Sequence, residues 1–496
     1  MVKTPPKTLN PRLNYLRFRP FGPNEILVTS DTGDWHFLSE EDFASLLNGS
    51  LDPASEQYKA LEQKNFFIND DMLKRAYLKY QSRNAFTRLG PNLHIIITTL
   101  RCNYACVYCH ASKRPMKAKE FDMSIETAKQ VVDFIFTSPN KSLNIEFQGG
   151  EPLVNGEVID FVIDYAREKN KTEKRDLVFS LVSNLSLLEE ARLEKLIAED
   201  IYLCTSVDGP EALHNDNRPY KAGSGSYQST VGWLKRVEEA YGQKGLDPRT
   251  HHVDALLTVS RNTLAQGRAV VDEYLALGRN TIHLRPLNPF GFGKKAWKDI
   301  GYTTEEFLAF YEDTLNYIIE INRGGKELIE RQAAILLTRI LSDQDPNYME
   351  LRSPCGAAIG QLAYNYDGKI FTCDEARMVS EMGDDIFLLG QAGQDGYQEV
   401  IEHPTTKSMA MASCQDAIPY CAWCAFKPYC GTCPVYNYGE QGDIFGRMPD
   451  NQRCKLMMGQ FTILFKLLKN ADEGLKEIFA RWTTRRWRDS GFFGPL

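Results

Sequence analysis

From residue 91 to about 284 the sequence alternates short apolar runs with longer amphipathic ones, and that alternation restricts the chain to an α/β architecture built on parallel strands. The run His94-Ile95-Ile96-Ile97-Thr98 has the continuous apolar centre of a strand covered on both faces. Ser124 is placed to cap a helix whose Ala128, Val131, Val132, Ile135 and Phe136 recur on one face. Further strands are predicted over 143–147, 177–182, 202–207, 253–259 and 281–284, with helices over 158–167, 189–198 and 264–277 between them. A parallel barrel or wound sheet follows. In such folds ligands gather at the carboxyl ends of the strands.

The remainder divides around that core. At 496 residues the chain exceeds one ordinary globular unit. We expect an N-terminal α+β, winged-helix-like unit (1–70), a polar helical linker (71–90), the core (91–300) and a helical bridge (301–350). A cysteine-rich region (351–460) and a C-terminal helix and tail (461–496) complete it. In the first unit, 16–19, 25–29 and 35–38 read as strands separated by turn residues, and Ser39 caps a helix over 40–47. A second helix is predicted over 55–64. With a net charge of −7 and no dense Lys/Arg stripe, nucleic acid is not the expected partner. The basic run from Arg481 to Arg488 reads as a solvated tail or last helical turn.

No apolar stretch approaches the roughly 20 residues that span a bilayer. Residues 1–16 lack the apolar core of a signal peptide, so no membrane association and a cytoplasmic location are expected. In that reducing compartment the 12 cysteines do not read as a disulfide framework. Three lie within eight residues, Cys204 stands alone as a buried strand residue, and eight fall between Cys355 and Cys454. Such clustering points to metal.

Cys102, Cys106 and Cys109 are spaced C-x3-C-x2-C just after the 94–98 strand. Three thiolates on one short loop suit three corners of an iron–sulfur cube and leave the fourth iron open, whereas a Cys3His zinc knuckle would recruit the adjacent His110. The motif with its aromatic Tyr108 resembles the signature of the radical S-adenosylmethionine (SAM) superfamily. That resemblance implies a partial (β/α)6 TIM-like barrel, a [4Fe–4S] cluster on the three cysteines, SAM chelated to its open iron, and Tyr108 near the adenine. Gly149-Gly150-Glu151-Pro152 resembles the family's GGEP element, with Glu151 facing the SAM ammonium. Ser183-Asn184 resembles its ribose-contacting pair. Ser206-Val207-Asp208-Gly209-Pro210 with Arg218 resembles the stretch that holds SAM in peptide-modifying members, through Ser206 and Arg218. Asp208 reads equally well as a turn residue.

The later cysteines resemble the SPASM domain, with its two auxiliary iron–sulfur clusters. By that resemblance Cys421, Cys424, Cys430 and Cys454 bind a distal cluster, and Cys355, Cys373 and Cys433 bind a nearer one. Its fourth position is filled by Cys414 or left open. The spacing from Cys430 to Cys433 is x2 where the family has x3, and a zinc ribbon is the alternative for the paired C-x2-C turns. Asp374, next to Cys373, matches the position of a proposed base in sulfatase-maturing relatives, and its other reading is a hydrogen-bonding loop residue. Along its whole length the chain resembles the His-Xaa-Ser system radical SAM maturases, the B component in particular, through Tyr15-Leu16-Arg17-Phe18-Arg19-Pro20 and Phe37-Leu38-Ser39. The resemblance implies a peptide or protein substrate with His-Xaa-Ser repeats, bound through an N-terminal recognition unit. It also implies a partner maturase and an electron donor such as flavodoxin or ferredoxin. The alternatives are a sulfatase-maturing type of enzyme and a non-catalytic zinc-binding scaffold.

Overall fold

The computed structural model describes residues 10–220 and 225–489, with the side chains of 485–489 left aside. Three antiparallel strands come first: β1 (Leu16–Gly22), β2 (Glu25–Ser30) and β3 (Trp35–Ser39), in the order β1-β2-β3. Ser39 caps the helix Glu40–Asn48 as expected, its Oγ accepting the Asp42 N–H at 3.0 Å. Both faces of β2 are buried, each for a different purpose. Ile26 and Val28 pack with Leu38, Phe43, Leu46 and Leu61 in a small core of the unit's own. Leu27 belongs to the main core, and Thr29 Oγ1 donates to Ala425 O at 2.8 Å. Trp35 and Phe37 set their edges against Phe465 of the helix Gln452–Lys469. Most of the polar 71–90 segment is the helix Asp70–Arg83, tied back by an ion pair of Lys79 with Asp34 at 3.3 Å.

The core strands are β4 (Leu93–Thr99), β5 (Ser142–Gly149), β6 (Asp176–Val182), β7 (Ile201–Ser206) and β8 (Asp254–Thr258). The 281–284 segment splits into β9 (Thr281–Ile282) and β10 (Leu284–Arg285). The split has a local cause: β9 pairs with β11 (Ile329–Glu330), β10 pairs with β8, and buried Glu330 accepts the Leu284 N–H at 3.1 Å. Strands β4, β5, β6, β7, β8 and β10 are adjacent and parallel, and helices such as Ile125–Ile135, Gly156–Glu173 and Glu190–Ala198 cross between them. The result is a partial (β/α)6 barrel. Ile95, Ile96 and Ile97 are buried on both faces of β4, as a strand at the middle of a covered parallel sheet requires.

The cysteine-rich region prolongs this sheet. β12 (Gln361–Tyr364) pairs in parallel with β4, and β13 (Lys369–Phe371) and β14 (Leu388–Gln391) follow antiparallel, giving nine strands in one sheet. Gly368, at φ 84°, makes the β12–β13 turn, a conformation that L side chains rarely adopt. Among the described residues no helix is long and apolar enough to cross a membrane, and all 12 cysteines are unbridged. The Arg481–Arg488 run falls within the helix Glu473–Asp489, and its side chains from residue 485 on, like residues 490–496, lie outside the described residues.

Candidate metal centres

The three-thiol loop leaves the carboxyl end of β4 and is fixed by backbone on both sides. Cys102 N–H donates to Arg114 O at 3.1 Å, Ala105 N–H to Pro219 O at 2.8 Å, and Val107 N–H to Asn217 O at 2.9 Å. Arg101 Nε donates to Asp122 at 2.7 Å, and buried Tyr104 reaches the Thr230 hydroxyl at 3.2 Å. Burial raises all three thiols: Cys106 is pushed up to about 12, with Cys109 and Asp208 adding to the rise and Arg218 opposing it. Cys102 and Cys109 shift the same way, first through burial. Thiols this far raised stay protonated at neutral pH until a cation displaces the proton.

Among the described residues no three His, Cys, Asp or Glu side chains converge on a single ion position, so the triad and His110 do not form a ready mononuclear cage. A four-iron cluster takes each thiolate on a separate iron and needs no such convergence. The donor set fits that group: three sulfurs on one rigid loop and no fourth.

The next elements close around the loop. Gly149, at φ 145°, and Gly150 bring β5 against the end of β4; a Cβ on Gly150 would lie 2.3 Å from Arg101 O. Glu151 is 1% exposed and accepts from Ser183 Oγ (2.8 Å), Asn184 N (2.8 Å) and Leu153 N (3.0 Å). Burial nevertheless pushes its carboxyl up to about 7, with those hydrogen bonds opposing. Pro152 starts the short turn that follows. Asn184 Nδ2 donates to Asn103 Oδ1 at 3.0 Å, which sets β6's end beside the triad. Ser206 ends β7, half-buried.

Asp208 holds the centre. It is fully buried, accepts Arg218 Nε at 3.0 Å and Nη2 at 3.1 Å, accepts the Thr258 N–H at 3.2 Å, and takes the Tyr108 hydroxyl. Arg218 also lies over the Tyr108 ring, 5.3 Å from its centroid. Tyr108 and Arg218 are thus brought together through a residue that the sequence left between two readings, because its partners lie 10 and 100 positions away. Cys204 is a buried β7 residue, as expected.

The second cysteine field forms two groups. Cys421, Cys424, Cys430 and Cys454 line one cavity with Met448 and Met457, and Cys433 borders it as well. Burial raises Cys421 to about 12, with Cys454 and Cys424 adding. Cys355, Cys373 and Cys433 share a separate buried cluster with Phe290, Phe371 and Val435. Cys373 and Cys433 each begin a helix, their sulfurs accepting the Ala376 and Tyr436 N–H groups at 3.4 Å. Burial raises both thiols all the same, with the Ala376 N–H opposing the rise at Cys373. Cys414 ends the helix Pro404–Ser413, half-exposed, and the preceding Ser413 Oγ accepts the Cys355 N–H at 2.9 Å. Asp374 is closed on the buried Arg377 at 2.9 Å. Its neighbour Glu375 is pushed up to about 7 by burial, then by Glu350 and Asp374, with Arg285 opposing. The sequence reading passed over Glu375, Glu350 and Arg285; the one available signal was the acidic pair directly after Cys373.

Residues 96–243 match the Radical SAM superfamily model, over the strands and loops just described. These residues form a Radical SAM domain. A 139-residue stretch, 28% of this chain, is 34% identical to an uncharacterized protein of Methanocaldococcus jannaschii and spans 46% of that protein, less than half its length. Among solved structures, native anSMEcpe with bound AdoMet and Kp18Cys peptide superposes with a TM-score of 0.63 at 20% identity, over 77% of this chain and 99% of that one. Streptococcus suis SuiB bound to precursor peptide SuiA gives 0.51 at 14% identity, over 88% and 98%. At such identities the likeness is one of fold.

Proposed function

We propose that this radical SAM protein is a maturase that modifies a ribosomally made peptide or protein of the His-Xaa-Ser system type, binding SAM at a [4Fe–4S] cluster on Cys102, Cys106 and Cys109. A reduced cluster and SAM, when bound, supply the one-electron chemistry that takes a hydrogen atom from an unactivated carbon. The chain's own work is to hold and orient. The backbone bonds of 102–109 fix the three sulfurs, and the Asp208–Arg218 pair keeps a guanidinium beside them for a carboxylate. Glu151, Ser183 and Asn184 supply the polar wall at the ends of β5 and β6. Auxiliary clusters on the two later thiol groups fit the donor sets found there, with electron exchange through a flavodoxin- or ferredoxin-like donor in the cytoplasm. In this reading the N-terminal sheet receives the extended peptide.

The observation that carries this reading is the rigid three-sulfur loop at the carboxyl end of β4, with no fourth donor on it. A peptide substrate draws support from the two fold neighbours solved with peptides bound. The test is anaerobic incubation of reconstituted protein with SAM, reductant and a His-Xaa-Ser repeat peptide, followed by mass spectrometry. A mass change in the peptide supports the reading; modification of a Cys/Ser sulfatase peptide alone replaces it with the sulfatase-maturing type. Zinc without iron after reconstitution removes it.

A further inference from the structure

Between the triad and the nearer thiol group the barrel interior holds an unusual set of charges. Arg285 ends β10, so it stands at the carboxyl edge of the parallel strands. The chain beyond it packs on the triad loop: Phe292 N–H donates to Cys109 O at 2.9 Å, and a Cβ on Gly291 would meet His110 O at 2.4 Å. Glu375 stands two residues after Cys373, at the start of the helix Asp374–Ser380. Arg285 and Glu375 therefore bridge the two thiol sites.

Their contact differs from those around it. Arg377 is closed on Asp374 at 2.9 Å, and Arg453 on Glu350 at 2.7 Å. Arg285 Nη2 stops 3.9 Å from Glu375 Oε1, beyond the 2.7–2.9 Å or so at which charge-assisted pairs settle. The Arg285 side chain is 38% accessible and that of Glu375 19%, although protein surrounds both, so they face an internal space. An enclosed guanidinium and carboxylate that stand side by side without closing present one donor and one acceptor in the same direction.

We propose that Arg285 and Glu375 form the main-chain anchor for the substrate peptide: Arg285 donates to the C=O, and Glu375 accepts the N–H, of one extended residue. In an extended strand those two groups of a single residue point to the same side, as they do when strands exchange paired hydrogen bonds. The anchor holds peptide irrespective of side chain and leaves recognition of sequence to other surfaces. It places the neighbouring side chains between the triad and the nearer thiols. This inference rests on the peptide reading above and adds a site to it.

The test uses full-length protein, a fluorescein-labelled His-Xaa-Ser repeat peptide and esters of it in which one amide N–H at a time is replaced by oxygen. Binding is read by anisotropy, and peptide turnover by mass spectrometry. The expected result is one ester position that weakens binding to wild type about tenfold, the weight of a hydrogen bond to a charged group. Glu375→Gln should shrink that discrimination to about twofold. Arg285→Met should raise the peptide Kd and KM about tenfold with little change in kcat, and Arg285→Lys should restore part of the loss. Iron content and melting temperature matching wild type show that the variants fold. Equal Kd values for wild type and Arg285→Met, or ester discrimination intact in Glu375→Gln, overturn the anchor. Should wild type form 5′-deoxyadenosine yet neither bind nor alter the repeat peptide or a random peptide library, the peptide reading fails and the anchor with it. The SAM assignment would still stand.

Discussion

The triad loop and the nearer thiol group are built in opposite ways. The triad's sulfurs all sit on eight consecutive residues, so one loop groups them, and five backbone bonds hold that loop, four of them to residues 114, 217, 219 and 292. The nearer group draws Cys355, Cys373 and Cys433 from segments up to 78 positions apart, and only the assembled sheet and helices make them neighbours. In a local site the sulfurs stay neighbours in sequence whatever happens elsewhere in the chain. A non-local one reports on the whole of its surroundings.

The sharpest way to break this comparison is to remove one sulfur from each site. Cys433→Ala should strip the nearer group of its iron and leave the triad's reduced-cluster electron paramagnetic resonance signal in place. If the triad signal disappears too, the two sites are one cooperative unit. Next in size is the buried pair behind the triad. Asp208→Asn leaves Arg218 without its counter-charge and should lower stability by about 3–5 kcal/mol in denaturant unfolding.

Glu151 gives a pH signature that belongs to the triad side. Its carboxyl is raised from an ordinary 4.5 to about 7, so the fold prefers it protonated. Its contribution is complete below pH 4.5 and is lost as pH rises through 7, a span of about 3 kcal/mol. The stability difference between metal-free wild type and Glu151→Gln, measured at pH 4.5 and pH 8, should change by that amount in favour of the variant at the higher pH. A constant difference would mean the carboxyl is not raised. The smallest effect is on the other site: Ser413→Ala removes the acceptor of the Cys355 N–H and should lower stability by about 1 kcal/mol while shifting the nearer cluster's spectrum.

The same contrast explains what could be read from the sequence. Local signals survived into the structure: Ser39 and Ser124 cap their helices, and the Ile95–Ile97 centre of β4 is buried on both faces. The C-x3-C-x2-C loop sits at a strand's carboxyl end, where the alternation placed it. Long-range pairings left no trace in composition or period. β12 joins β4 across 268 positions, so the continuation of the core sheet into the cysteine-rich region could not be seen. β2 carries alternate residues into two different cores, which looks in sequence like an ordinary small sheet. Asp208, Arg285 and Glu375 gain meaning only from partners that the fold delivers.

The central claim is that the loop 102–109 carries a SAM-cleaving cluster. The direct measurement is 5′-deoxyadenosine formed from SAM by anaerobically reconstituted, dithionite-reduced protein, wild type beside Cys106→Ala. The account predicts formation by wild type and none above background in the variant. Equal formation by both would contradict it.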